Sequence, residues 1–259
     1  MFIEPIAAFT DNYIWCLHDG STAWVVDPGE ASPVLVFLAA KKLRLQGILI
    51  THHHHDHTGG IGQLRQAFSD LTVYGPHNRD NQPCIKGLDK QLEEGDTVDV
   101  FGYSFDVLEI PGHTLDHIAY YAADSHPPTL FCGDTLFAAG CGRLFEGTPP
   151  QMLASLQKLA QLPTATAVYC GHEYTVANLR FAQAVEPDNA VVRERAAEAA
   201  TLRAEQRPTL PSNIGLELAT NPFLRCQTPS VLAAARRHGA QTENLAAIFA
   251  AIRGWKDQF

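Results

Sequence analysis

The sequence predicts an α/β domain over residues 1–172 followed by a helical domain over residues 173–259. Three observations carry this. Short apolar runs rich in β-formers recur through the first part, each bounded by Gly, Pro or Asp turn signals. Stretches with apolar residues at helical spacing lie between some of them, the alternation of an α/β fold. After His172 the texture changes, and Ala, Glu and Arg recur at helical spacing with few strand formers.

The first strands are expected at 13–17 and 23–26, the second ending at Asp27-Pro28-Gly29. Residues 33–45 place Val34, Leu35, Leu38 and Leu45 on helical spacing. The run 47–51 reads as a short buried strand. Thr58 is the expected N-cap of a helix carrying Ile61, Leu64 and Phe68. Further strands are expected at 72–75, 97–101, 104–110, 118–122, 129–132 and 165–170, with a helix over 149–162. Residues 174–206 read as helical until Pro208 and Pro211 break the run. Pro229 opens a helix over 230–238, and a last helix covers 243–255. There is no internal repeat and no low-complexity linker.

Composition narrows the functional classes. Hydrophobic residues make up 46% of the 259 and charged residues 18%, which is a globular balance and excludes a disordered chain. A net charge of −9 argues against electrostatic binding of nucleic acid. Residues 1–172 hold 9 basic and 19 acidic residues, whereas 173–259 hold 10 and 9. Two readings fit this asymmetry. One is ordinary variation along a chain; the other is an acidic, His-rich part neutralised by bound cations beside a part that offers positive groups to an anionic ligand.

The N-terminal residues have no basic stretch or hydrophobic core of a signal peptide. The longest apolar runs, such as 34–40, fall short of the roughly 20 residues that span a bilayer. Cys16, Cys84, Cys132, Cys141, Cys170 and Cys226 form no C-x-x-C pair and read as free thiols. A cytoplasmic protein with no membrane partner, monomeric by default, is expected.

The chemistry concentrates in Thr51-His52-His53-His54-His55-Asp56-His57-Thr58-Gly59-Gly60, directly after the strand at 47–51. Ligands of α/β sheets collect at such strand ends. Five of the twelve histidines fall within six residues. Alternation of side chains along an extended or turning segment sets His52 and His54 to one side, with Asp56 and His57 turned onto a neighbouring position. His53 and His55 then point elsewhere. Three more donors each follow an expected strand beside a Gly: His113 after Gly112, Asp134 after Gly133, and His172 after Gly171. Taken one at a time, such residues are most often structural. Together with the cluster they make a set of five His and two Asp. That exceeds one tetrahedral ion and suits two ions sharing a carboxylate. Imidazole and carboxylate donors suit zinc, iron or manganese. Paired ions lower the pKa of a bridging water toward neutrality, so the reaction implied is hydrolysis.

His52-x-His54-x-Asp56-His57, followed by His113, Asp134 and His172, resembles the metallo-β-lactamase superfamily. The resemblance implies a four-layer αββα sandwich with two metals at one edge. It assigns His52, His54 and His113 to one ion and Asp56, His57 and His172 to the other, bridged by Asp134. It also makes Asp134 and Asp56 the candidate catalytic residues. Further residues narrow the family. Cys141-Gly142-Arg143-Leu144-Phe145-Glu146-Gly147-Thr148, Gly171-His172-Glu173-Tyr174-Thr175, Asn221-Pro222-Phe223-Leu224-Arg225 and Arg253-x-x-Lys256-Asp257 are similar to glyoxalase II, the hydroxyacylglutathione hydrolases. This likeness covers the whole chain. It implies a dinuclear-metal thioester hydrolase that converts S-2-hydroxyacylglutathione, S-D-lactoylglutathione above all, to glutathione and a 2-hydroxy acid. A metal-bridged hydroxide would attack, as the second step of methylglyoxal detoxification. Zinc is the leading metal, with iron or manganese as alternatives. The resemblance places Arg143, Tyr174, Arg253 and Lys256 around glutathione. The chain departs from the family at Phe145, a position that is often Tyr, which removes a hydroxyl contact to glutathione. A nuclease or lactonase of the same superfamily, an oxygen-activating iron protein and a non-catalytic metal binder are the competing readings. Asp27 is read either as a partner of a ligating His or as part of its turn, and His117 as a packing or orienting group.

Overall fold

The computed structural model describes residues 1–77, 85–242 and 244–259. The chain forms two compact units, Met1–Glu109 with Thr114–Gly133, and Ile110–His113 with Asp134–Phe259.

The first unit is built on a six-stranded mixed sheet in sequence order: β1 (Phe2–Ala8), β2 (Asn12–His18), β3 (Thr22–Val26), β4 (Arg44–Leu49), β5 (Thr72–Pro76) and β6 (Lys90–Leu92). The first three strands pair antiparallel, and β3 through β6 run parallel. Helix α1 (Ala31–Lys41) makes the β3–β4 crossover, and α2 (His55–Thr58) and α3 (Ile61–Ala67) lie within the β4–β5 connection. Val34, Leu38 and Leu64 from the helices join Val25, Ile48, Ile50 and Val73 in one core. Gly47 is required here, because a Cβ would sit 2.4 Å from the indole of Trp24 on the neighbouring strand. Four further strands, β7 (Thr97–Val100), β8 (Tyr103–Glu109), β9 (Ile118–Ala122) and β10 (Thr129–Gly133), make an antiparallel array in the order β10-β9-β8-β7.

The second unit contains the short hairpin β11 (Leu136–Phe137) and β12 (Gly140–Cys141), α4 (Pro149–Ala160) and β13 (Ala167–Cys170). It continues with α5 (Thr175–Val185), α6 (Ala190–Ala204), β14 (Ser212–Asn213), α7 (Ile214–Thr220), α8 (Pro229–Arg237) and α9 (Leu245–Gln258). Its helices start where chemistry dictates. Thr148 and Gln151 cap α4 ahead of Pro149 and Pro150, and Asn189, Asn213 and Asn244 cap α6, α7 and α9. Phe181, Phe223, Phe249 and Trp255 pack as an aromatic cluster between α5, α9 and the turn after α7.

The structure corrects four element boundaries. The helix expected over 33–45 ends at Lys41, because Lys42 turns left-handed and Leu45 belongs to β4. The strand expected to run to Thr51 ends at Leu49. Thr58 closes α2 instead of capping a helix; its hydroxyl donates back to the His54 carbonyl, and Gly60 precedes α3. The helix expected over 174–206 breaks into α5 and α6 at Glu186-Pro187-Asp188-Asn189, since Pro187 lacks the N–H a continuing helix needs. Glu243, where the last helix was expected to begin, lies outside the described residues, as does Cys84. The other five cysteines are buried and form no disulfide among the described residues. Burial pushes the thiols of Cys16, Cys170 and Cys226 up to about 12.

Candidate active site

The expected donors divide between the units, four of them in the first: His52, His54, Asp56 and His57. His52 leaves the C-terminal end of β4 fully buried. His52 Nε2 and His54 Nδ1 face each other at 3.1 Å. That is close to the roughly 3.3 Å edge of a tetrahedron with metal–nitrogen bonds of 2.0–2.1 Å. The alternation expected along this segment holds. His53 turns the other way, and its Nδ1 meets Asp116 Oδ1 at 3.0 Å, while His55 is exposed. Burial raises the Asp116 pKa, but hydrogen bonds from His53 and Thr114 outweigh it and hold the carboxyl below its ordinary range.

Asp27 organises the donors of the first unit. It is buried, and its Oδ1 accepts from the Thr51 backbone N–H at 2.8 Å. Its Oδ2 lies 2.7 Å from Thr51 Oγ1 and 3.0 Å from His57 Nδ1. A carboxylate only accepts, so His57 carries its proton on Nδ1 and turns its Nε2 lone pair away, toward Asp56 Oδ2 at 3.5 Å. The Thr51 hydroxyl donates to Asp27 and therefore accepts from His52 Nδ1, 3.0 Å away, which leaves the His52 lone pair on Nε2. His117 stacks flat on His52, with ring centroids 4.6 Å apart. Asn12, at the start of β2, donates to Asp56 Oδ2 at 3.0 Å.

Close backbone packing fixes the loop. A Cβ on Gly29 would lie 1.9 Å from the Asp56 carbonyl oxygen, and one on Gly60 would lie 2.5 Å from that of Pro28. The Gly60 N–H donates to this Pro28 oxygen at 2.8 Å.

His113, Asp134 and His172 belong to the second unit and do meet. Asp134 Oδ2 lies 3.4 Å from His113 Nε2 and 3.2 Å from His172 Nε2, so one carboxylate oxygen faces two imidazoles. His113 Nδ1 donates to the Arg143 carbonyl at 2.8 Å, which sets its lone pair on Nε2. Gly142 makes this possible, since a Cβ there would sit 1.9 Å from the Asp134 carbonyl oxygen and 3.0 Å from His113 Nδ1. The donor chemistry of both units fits divalent ions: imidazoles, three of them with tautomers set by hydrogen bonds, and carboxylates beside them.

The groups expected around glutathione also lie in the second unit. Tyr174 stacks on His172 at 4.7 Å, and Phe137 meets both rings edge-on. Arg143 is exposed, with its Nε 3.7 Å from Asp257 Oδ1. Arg253 is buried and donates to the Cys141 carbonyl at 2.9 Å and to Asp257 Oδ1 at 3.0 Å. Lys256 Nζ lies 3.3 Å from the Ala177 carbonyl. Burial and the positive charge of Arg253 lower its pKa to about 8. Phe145 is exposed, its ring edge-on to His113.

Asn12, Asp116 and Phe137 had no distinguishing sequence signal as site residues, because their partners lie far along the chain. Gly142 sits inside the motif at 141–148.

Comparison with known proteins identifies the family. The Metallo-beta-lactamase superfamily profile matches residues 10–172, and that of the Hydroxyacylglutathione hydrolase C-terminus matches residues 173–259. A hydroxyacylglutathione hydrolase of Pseudomonas aeruginosa (strain LESB58) is 55% identical over 264 residues, covering 99% of each chain. The chain belongs to the hydroxyacylglutathione hydrolase family. Solved structures share the fold of this family member. The BLEG-1 B3 metallo-β-lactamase superposes with a TM-score of 0.64 at 24% identity, over 86% of this chain and 99% of its own. TTHA1623, crystallised in a di-iron-bound form, gives 0.60 at 28% identity, over 86% and 100%. Among the described residues no helix is long and apolar enough to cross a membrane.

Proposed function

We propose that this protein hydrolyses S-2-hydroxyacylglutathione, with S-D-lactoylglutathione as its principal substrate, to glutathione and a 2-hydroxy acid. The observation that carries this reading is the full-length likeness to hydroxyacylglutathione hydrolases, which continues through the C-terminal segment at 173–259. A nuclease or lactonase of the superfamily finds no such support among these relatives.

In this reading residues 1–172 are catalytic and 173–259 bind glutathione. His52, His54 and His113 would hold one ion, Asp56, His57 and His172 a second, and Asp134 both. Zinc is the proposed metal, and iron or manganese would suit the same donors. When bound, the ions supply a water nucleophile active near neutral pH and polarise the thioester carbonyl.

The remaining work falls to the chain. Asp27 and Thr51 set the tautomers of His57 and His52, and the Arg143 carbonyl sets that of His113. Asp134 and Asp56 are the proposed catalytic carboxylates, with Asp134 taking the proton of the attacking water. Glutathione carries two carboxylates and one ammonium, so its carrier is a net anion. Arg143, Lys256 and Arg253 provide positive charge for it, and the Tyr174 ring provides a flat apolar wall. Phe145 offers the ligand a phenyl edge without a hydroxyl. The leaving thiolate has a conjugate-acid pKa near about 8.5, so it departs without a dedicated acid. The enzyme acts in the cytoplasm as a monomer, in the second step of methylglyoxal removal.

The test is kcat/KM for S-D-lactoylglutathione against a simple thioester lacking the glutathione peptide, on protein reconstituted with zinc, iron or manganese. A strong preference for the glutathione thioester is expected. Equal, low rates on both would overturn the assignment.

A further inference from the structure

We infer that Glu217, Asn221 and Asn178 form a buried clamp that positions the glutathione-binding groups of the second unit, and so govern substrate affinity; this rests on the function proposed above. The clamp closes on the hairpin turn 137–140. Every residue from Leu136 to Cys141 is apolar and buried, so neither water nor the turn's own side chains can satisfy its backbone. Three side chains from elsewhere do so. Asn178, on α5, donates to the Ala138 carbonyl at 3.1 Å. Asn221, just after α7, donates to the carbonyls of Phe137 at 3.2 Å and Gly140 at 2.9 Å. Glu217, on α7 and fully buried, accepts the Ala139 N–H at 2.8 Å. Ala139 is left-handed, with φ +54°, a conformation that a Cβ opposes and that the Glu217 bond holds in place.

The clamp is braced from behind. Glu217 Oε1 takes the guanidinium of buried Arg195 at 2.6 Å, and the Asn221 amide reaches Glu217 Oε2 at 3.0 Å. A buried ion pair is a poor device for stability alone, since apolar residues of similar volume commonly do as well. It serves instead to hold one arrangement. What it holds here lies at both ends of the turn. At one end Phe137 packs against Tyr174 and His172. At the other, the Cys141 carbonyl takes Arg253, and two residues on stands Arg143. Three of the four groups assigned to glutathione are thus referenced to this turn. None of the clamp residues is itself one of them.

The test compares zinc-loaded full-length wild type with Asn221→Ala and the milder Asn178→Ala. The readouts are kcat and KM on S-D-lactoylglutathione and on a peptide-free thioester, the Kd of free glutathione by calorimetry, and metal content. Losing the hydrogen bonds of Asn221 is expected to raise KM and the glutathione Kd about tenfold. Asn178→Ala is expected to raise both to a smaller extent. In both variants kcat, metal content and the peptide-free rate stay at wild-type values. Unchanged KM and Kd in the variants would overturn the clamp, and so would an equal loss on both substrates. If Asn221→Ala fails to fold, Asn178→Ala decides by the same readouts. Wild-type protein inert toward S-D-lactoylglutathione would instead overturn the proposed function, whereas glutathione Kd still reports on the clamp.

Discussion

One oxygen of Asp27 serves both Thr51 and His57: its Oδ2 lies 2.7 Å from the Thr51 hydroxyl and 3.0 Å from His57 Nδ1. Through these bonds a residue outside the proposed ligand set fixes the tautomers of two residues within it. Asp27 sits at φ +53°, where Asn is among the few residues tolerated without a glycine. Asp27→Asn should therefore fold normally yet lose the charge that His57 leans on. Metal affinity is expected to fall roughly 10–100-fold, as for other partners of metal-bound histidines. Competition against a chelator, with circular dichroism as the folding control, checks this.

Asp134 is the carboxylate that His113 and His172 share. Asp134→Ala should lose bound metal and turnover together, by more than the roughly 100-fold typical of an outer partner. Elemental analysis beside a thioester assay is the measurement. Full activity with intact metal content would remove Asp134 from the site.

The sequence made the expected donors legible because the His/Asp cluster follows a strand and His113, Asp134 and His172 each stand beside a glycine after a further one. Its strand periodicity placed β2–β5 and β7–β10 within a few residues. Long-range supports were not legible. Asn12 reads as an ordinary polar residue at a strand start, and its bond to Asp56 spans 44 positions. Strand β1 escaped notice because Pro5 lies within it; the structure tolerates this proline because β1 is a sheet edge. Strand β6 has only three residues, two of them polar and exposed, too few to show a period. The break between α5 and α6 was legible in Pro187 and was outweighed by the helical composition on either side.

Gly142 tests how tightly the second unit is built. A methyl group there meets the Asp134 backbone at 1.9 Å, and backbone cannot rotate away as a flexible side chain can. Gly142→Ala should cost about 1–3 kcal/mol of stability, the usual toll of overpacking. It should also displace Asp134 or His113, so metal content falls as well. Thermal unfolding of metal-free and metal-loaded forms separates the two effects, since only the second depends on the ion.

Lys256 ties substrate affinity to pH. With its pKa lowered to about 8 by burial and by the positive charge of Arg253, it loses its charge as the pH rises through that value. KM for the anionic thioester is expected to rise above pH 8, and Lys256→Arg should remove that rise. The linkage has the opposite sense for stability. Between about pH 8 and the ordinary lysine value of 10.5 the unfolded chain holds the proton that the folded chain has released, so this group makes folding more favourable as pH rises. Denaturant unfolding across that window, wild type against Lys256→Arg, shows whether the difference has this sign.

The glycine contacts around the histidine loop have a consequence for metal selection. Gly29 and Gly60 let the turn after β3 press directly on the backbone of residues 56–60, so the loop takes its shape from peptide against peptide. A mould cast in that way does not need an ion to set it, and stripping the metal should leave it ready to refill without refolding. Imidazole and carboxylate donors accept several first-row ions, and raw affinity does not decide among them in the cell. Which ion occupies the protein then becomes a question of what the cell has in stock when the chain is made.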